Sequence, residues 1–238
     1  MQDFQHRSYQ LELLDDDRIP QEALFQNLRE LDFINTYLSG HDVVLSGLRK
    51  FKDCFQESTS ICEIGSGGGD NLRAILRVGK KKKWSLSLTG VDLKADCIQF
   101  AKATDMQKLA SNPISYQCND YRLANFEQQP DIIFNSLFCH HFKDEALIEM
   151  LRWMHANAKK GFYICDLHRN PIAYYAIKLL TSLFSKSYLV KNDAPLSVLR
   201  GFSKNEWISL LERAGIQNYS IEWKWAFRWL IVVRTNQA

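Results

Sequence analysis

The run Ser60-Ile-Cys-Glu-Ile64 ends on a glycine cluster, Gly65-Ser-Gly67-Gly-Gly69, and Asp70 then opens a stretch in which Leu72, Ile75 and Leu76 keep helical spacing. A short apolar run that stops at glycines reads as a buried strand. The 3.6-residue spacing just beyond it reads as a helix, with Asp70 placed to cap it. Four of the chain's eleven glycines fall in this turn. Glycine there admits positive φ and lets a ligand approach the backbone closely. The start of the helix adds free N–H groups and a weak positive field. A strand passed into a helix through such a loop is a binding element as well as a connection.

Strand-like and helix-like patterns alternate after it. Leu86 to Val91 reads as a strand, Ala95 to Leu109 as a helix, Ile114 to Cys118 as a third strand and Ile132-Ile-Phe134 as a fourth. A helix from about Asp144 to Asn157 and a fifth strand, Gly161 to Leu167, follow. Alternation at these lengths implies right-handed crossovers and a mostly parallel sheet covered on both faces. The end of the chain behaves differently. Tyr219 to Trp225 and Phe227 to Val233 each alternate with period two, and only Ala226 separates them. They predict an antiparallel strand pair closing one edge of a seven-stranded, doubly wound α/β sheet. Residues 20–57, with Leu24, Leu28, Leu31 and Ile34 on one stripe, predict a helical cap before the sheet, and 58–170 predict the core. Residues 171–202 read as a helical insertion after the fifth strand, and 203–238 as a closing helix, Lys204 to Ala214, followed by the strand pair. All of this fits one domain over residues 1–238.

The loop excludes two phosphate-binding readings. A G-x-G-x-x-G fingerprint counted from Gly65 needs glycine at Asp70, and counted from Gly67 it needs glycine at Leu72. No G-K-[ST] follows for a P-loop. The formal net charge of +3 is too small to mark a nucleic-acid binder, and the Lys80–Lys83 tract reads as a solvated helix end. The six cysteines form no C-x-x-C pair, and Cys62, Cys118, Cys139 and Cys165 fall in apolar runs expected to be buried and reduced. The opening MQDFQHRSYQ has no apolar signal-peptide core, so a cytoplasmic setting is expected.

With an acidic residue in front of it, Glu63-x-Gly65-x-Gly67-x-Gly69 resembles the first motif of class I S-adenosylmethionine-dependent methyltransferases. The carboxylate of Glu63 and the loop carbonyls suit an ammonium group and not a phosphate. Asp92, at the end of the second strand, can accept both hydroxyls of a ribose across the switch point of a doubly wound sheet, with Leu93 flanking the adenine. In Asn119-Asp-Tyr121 the resemblance makes Asp120 the acceptor for the adenine amino group; the competing reading of Asp120 is a turn-former. Ser66, Tyr121 and Asn135 complete the implied cofactor contacts. The cofactor is then S-adenosylmethionine and the product S-adenosylhomocysteine.

The acceptor side is less constrained. The [DN]-P-P-[YFW] motif of nucleic-acid amino-methyltransferases is absent, since Asn135-Ser-Leu-Phe138 stands there, and no Pro-Cys pair exists. His140 and His141 follow the fourth strand, and either can serve as general base; His168, after the fifth strand, competes with them. Their other reading is packing. No metal is expected, because Asp166 has no second carboxylate to match it. Pro171 to Phe184 predicts an amphipathic helix, a lid whose Tyr174 and Tyr175 would wall the acceptor pocket and exclude water. With only Lys178 and Lys186 as nearby cations, membrane contact is expected to be peripheral at most. Ser136 to Phe142, Asp166 to Pro171 and Asn192 to Ser197 look like a subgroup of bacterial methyltransferase-domain proteins related to quinone-ring methylases and tailoring enzymes of polyketide-type aromatics. The resemblance implies methylation of an oxygen, ahead of a carbon, on a small aromatic or enolic acceptor. The alternatives are an NAD(P)-dependent oxidoreductase on a related fold and a binding protein of the same fold without turnover.

Overall fold

The computed structural model describes residues 2–16, 18–55, 58–109 and 114–235. Positions 1, 17, 56–57, 110–113 and 236–238 of the expected 1–238 unit lie outside the described residues. Two helices, α1 (Gln21–Tyr37) and α2 (Gly40–Arg49), precede the sheet. There follow β1 (Thr59–Ile64), α3 (Asp70–Lys82), β2 (Leu86–Asp92), α4 (Ala95–Lys108), β3 (Ile114–Cys118), β4 (Ile132–Ser136), α5 (Asp144–Asn157) and β5 (Gly161–Leu167). The chain then forms α6 (Pro171–Phe184), α7 (Tyr188–Arg200), α8 (Lys204–Arg213), β6 (Tyr219–Lys224) and β7 (Arg228–Arg234).

The seven strands lie in the order β3-β2-β1-β4-β5-β7-β6. Strands β1 to β5 are parallel, and β7 runs antiparallel between β5 and β6. The central strands β1, β4, β5 and β7 are buried on both faces, which is why they read as nearly continuous apolar runs. Period two divides them. Cys62, Ile64, Ile133, Phe162, Ile164, Ile231 and Val233 face Met150, Leu151 and Met154 of α5 and Trp207, Leu210 and Leu211 of α8. Ile61, Leu88, Ile132, Phe134, Tyr163, Leu230 and Val232 face Val43, Val44 and Leu48 of α2 and Leu72, Ile75 and Leu76 of α3. Each fully buried side chain of this size contributes roughly 1.5–3 kcal/mol.

The expected helix Pro171 to Phe184 forms as α6, and Ser185 to Ser187 separate it from a second helix, α7, which Ser187 caps through a bond from the Val190 N–H. Two expectations are corrected. Asp70 does not cap α3: the cap is Gly69, at φ 73°, with no side-chain cap bond, and Asp70 is the first helical residue. Cys118 ends an edge strand and is exposed, whereas Cys62, Cys97, Cys139 and Cys165 are buried; all six cysteines are free.

The chain leaves β1 toward β2 on one side, and β4 lies on the other. That reversal opens a crevice beyond the carboxyl ends of the strands, where ligands bind in open α/β sheets.

Candidate functional site

A cavity of about 940 Å³ occupies this crevice. Its floor is the glycine loop. Gly65 (φ 67°) and Gly67 (φ 49°) adopt the conformation that side chains disfavour. A Cβ built on Gly67 would meet nothing closer than Leu28 Cδ2 at 3.8 Å, so that position opens onto the cavity. Gly69 does not line the cavity, and a Cβ there would sit 2.3 Å from Tyr116 Oη; its glycine serves the turn.

Glu63 lies at one end of the cavity and is 1% exposed. Its Oε1 accepts from Asn71 Nδ2 at 2.8 Å, while its Oε2 is buried without a partner, as is the Ser66 hydroxyl. Burial, with Asp70 and then Asp92 nearby, raises the Glu63 carboxyl well above the usual carboxylate range. An isolated buried carboxylate is costly, so this oxygen is built to meet a cation or to hold a proton.

Asp92, half-buried at the end of β2, is fixed by two backbone donors. The Gly67 N–H reaches its Oδ2 at 2.8 Å and the Lys94 N–H its Oδ1 at 2.9 Å. Each oxygen keeps a further lone pair for a ligand hydroxyl. Burial raises this carboxyl despite those bonds. Leu93 is exposed on the rim. Asp120 and Tyr121 also line the cavity, but Asp120 caps a short 3-10 turn and accepts from the Arg122 N–H, Nε and Nη2 at 2.9, 3.0 and 2.6 Å. The turn-former reading of Asp120 therefore holds locally, and an adenine amino group would have to share it with Arg122.

The histidines separate. His141 lines the cavity; its Nδ1 lies 3.0 Å from Asp15 Oδ1. Burial opposes ionisation of Asp15, yet the hydrogen bond and charge of His141 and the Arg200 guanidinium hold its carboxyl below the usual range. An ionised carboxylate only accepts, so His141 Nδ1 carries the hydrogen, and Nε2 lies 3.9 Å from Oε2 of the buried Glu12. The His140 ring lies against that of His141, 4.4 Å between centroids, and its Nε2 also approaches Glu12, at 3.6 Å. His140 is 4% exposed, bonds Asp166 at 2.7 Å through Nδ1 and does not line the cavity. His168 lies outside the cavity as well, 4.9 Å from the Trp229 ring, its Nδ1 accepting from Trp223 Nε1 at 3.3 Å. Burial and then Arg169 lower its pKa. Asn135 is fully buried and turned into the core, where Cys139 Sγ donates to its Oδ1. These three positions support the site from behind or beside it and do not contact the cavity.

The aromatic lid is corrected too. Tyr174 is buried edge-on to Phe4, Tyr175 is exposed, and neither lines the cavity. The apolar wall comes instead from Leu14 and Ile19 of the N-terminal segment and Leu24, Leu28 and Leu31 of α1, facing Phe138 and Phe142. The N-terminal segment is strapped down by long-range bonds. Asp193 accepts from the Leu13 and Leu14 N–H groups at 2.8 and 2.9 Å, Arg200 Nη1 reaches Asp15 at 3.0 Å, and Arg7 reaches Asp144 at 2.8 Å. The α1 stripe was visible in the sequence, but nothing local showed that it faces the cavity. The carboxylates Glu12 and Asp15 were the available signal for a segment that seeks basic partners.

Residues 61–161 match a family described as a methyltransferase domain. A curated relative, the mitochondrial ubiquinone biosynthesis O-methyltransferase of Saccharomyces cerevisiae, is 27% identical over 118 residues, which is 49% of this chain and 36% of that protein. The chain thus matches about a third of that relative's length. Among solved structures, human N-acetylserotonin methyltransferase in complex with SAM superposes with a TM-score of 0.61 at 18% identity, covering 92% of this chain and 57% of that one. The plantazolicin methyltransferase BpumL in complex with SAH gives a TM-score of 0.64 at 17% identity, covering 91% and 95%. At these identities the structures establish a shared fold.

Proposed function

From the premise that the chain belongs to the class I S-adenosylmethionine-dependent methyltransferases, we propose that it methylates an oxygen of a small aromatic or enolic acceptor. The observation that carries the cofactor part of this reading is the buried, unpartnered Oε2 of Glu63 beside the open edge of Gly67. The residues fit the cofactor: Glu63 would pair with its ammonium, Asp92 would accept from the ribose hydroxyls, and Leu93, Asp120 and Tyr121 would bound the adenine. The bound cofactor supplies a sulfonium methyl group. A nicotinamide dinucleotide would instead bring a pyrophosphate to a loop flanked by Glu63 and Asp70, both anionic when ionised.

His141 would take the acceptor's proton on Nε2, with Asp15 holding the ring, while Phe138, Phe142, Leu14 and Leu28 exclude water and align the acceptor. Such alignment supplies much of the rate in a closed site. The yeast relative acts on oxygen by its name, which favours oxygen over carbon here. Calorimetry tests the reading. Wild type should bind S-adenosylhomocysteine and not NADH, and Asp92→Ala should lose about 10- to 150-fold in affinity, or about 1.5–3 kcal/mol. Unchanged affinity in that variant would remove the ribose assignment. Methyl transfer to a panel of phenols, followed by mass spectrometry, tests the acceptor class.

A further inference from the structure

Helix α6 packs with its more apolar side outward. Ala173, Tyr174 and Thr181 are buried, whereas Ile172, Tyr175, Leu179 and Leu183, spaced to share one face, are 67, 58, 60 and 65% exposed. Leu180 and Phe184 widen that face to one side. Both ends of the helix are tied. The Asn170 side chain accepts from the Ile172 and Ala173 N–H groups, and Glu30 of α1 accepts from the Ser185 hydroxyl and the Lys186 and Ser187 N–H groups. About one and two turns beyond Glu30 on α1, the exposed rings of Phe33 and Tyr37 pair at 4.4 Å, on the helix that Glu30 ties to the C-terminal end of α6. A contiguous exposed patch of this kind marks an interaction surface.

Its charge selects the partner. From Pro171 to Asn192 the sequence has no carboxylate, against Lys178, Lys186 and Lys191, all exposed. A second copy packed on the patch by a two-fold axis would face these lysines with their own images, and α6 offers no acid to answer them. An anionic lipid surface answers both properties, taking the apolar face into its acyl boundary and the ammonium groups at its headgroups. Lys178, on the flank of the stripe, holds its ammonium 5.8 Å from the Tyr174 ring centroid and is exposed, so its charge stands at the edge of the apolar face. We propose that α6, with Phe33 and Tyr37 beside it, is a docking face for anionic membranes, lying in the interface plane; at 14 residues it is too short to cross. This inference does not rest on methyl transfer.

The test is co-sedimentation of the full chain with phosphatidylcholine vesicles, with and without phosphatidylglycerol. Wild type should bind the anionic vesicles, bind neutral ones at least tenfold more weakly, and be released by salt. The double variant Leu179→Glu, Leu183→Glu should lose at least tenfold in binding while its melting temperature and S-adenosylhomocysteine affinity stay unchanged, because both side chains face solvent. Lys178→Glu with Lys186→Glu should erase the preference for anionic lipid. Failure of wild type to bind, or full binding by the leucine double variant, overturns the proposal. A wild-type dimer in light scattering that the leucine variant dissociates also overturns it and assigns the face to a second copy.

Discussion

Glu63 couples binding to stability. Its carboxyl is raised in the folded chain, so between the unfolded value near 4.5 and the folded one the native state holds a proton that the unfolded chain has released. Stability then falls as pH rises through that window. Glu63→Gln should melt higher than wild type near neutral pH, show a flatter pH profile and lose cofactor affinity, all read from thermal melts with and without S-adenosylhomocysteine. A variant that melts lower at neutral pH would show that the carboxylate is already compensated. His141 makes the complementary case. His141→Ala should lose about 10²–10⁴-fold in turnover at unchanged cofactor affinity, and the deficit should shrink at high pH, where a phenolic acceptor ionises unaided. A ring that only packs would lower the melting temperature and show no rescue. Choosing between His140 and His141 was beyond the sequence, because the two rings lie together, 4.4 Å apart, and differ only in which of them reaches the cavity. Asp166 and Asp15, which lie far apart in the chain, decide which ring goes where.

The N-terminal strap walls one side of the cavity, and Asp193 of α7 is one of its fastenings, beside Arg200 and Arg7. Two charge-assisted bonds to backbone N–H groups contribute on the order of 1.5–3 kcal/mol each. Asp193→Ala should expose Leu11, Leu13 and Leu14 to chymotrypsin, weaken acceptor binding and leave cofactor affinity nearly intact; limited proteolysis and calorimetry would show it. Equal loss of both affinities would mean that the strap also holds the cofactor. The strands and the glycine loop were legible because period two, period 3.6 and glycine content are local properties. The strap was not, because Leu13 and Leu14 are fastened by a residue some 180 positions away. Helix α6 shows a subtler limit. Spacing identifies an apolar stripe, but not which side of the helix meets the protein. The inward side is decided by α7 and by Phe4 and Phe227, which pack with Ala173 and Tyr174.

The whole molecule is organised around one crevice in a sheet that α2, α3, α5 and α8 hold rigid. A ligand bound there stabilises the entire fold by linkage. At a hundred times its dissociation constant, S-adenosylhomocysteine should add about 2.7 kcal/mol, or about 5–10 °C in melting temperature for a chain of this length. A shift below 2 °C under those conditions, checked by calorimetric titration, would mean that the ligand binds the unfolded chain too or misses the crevice. The position of β7 has a consequence for synthesis. About sixty residues separate Leu167, the end of β5, from Arg228, the start of β7 that pairs beside it. At about 5–20 residues per second, β7 leaves the ribosome roughly 3–12 s after β5. Throughout that interval β5 presents a bare, apolar hydrogen-bonding edge, and the nascent chain has to be kept from other nascent chains until its own last strand arrives.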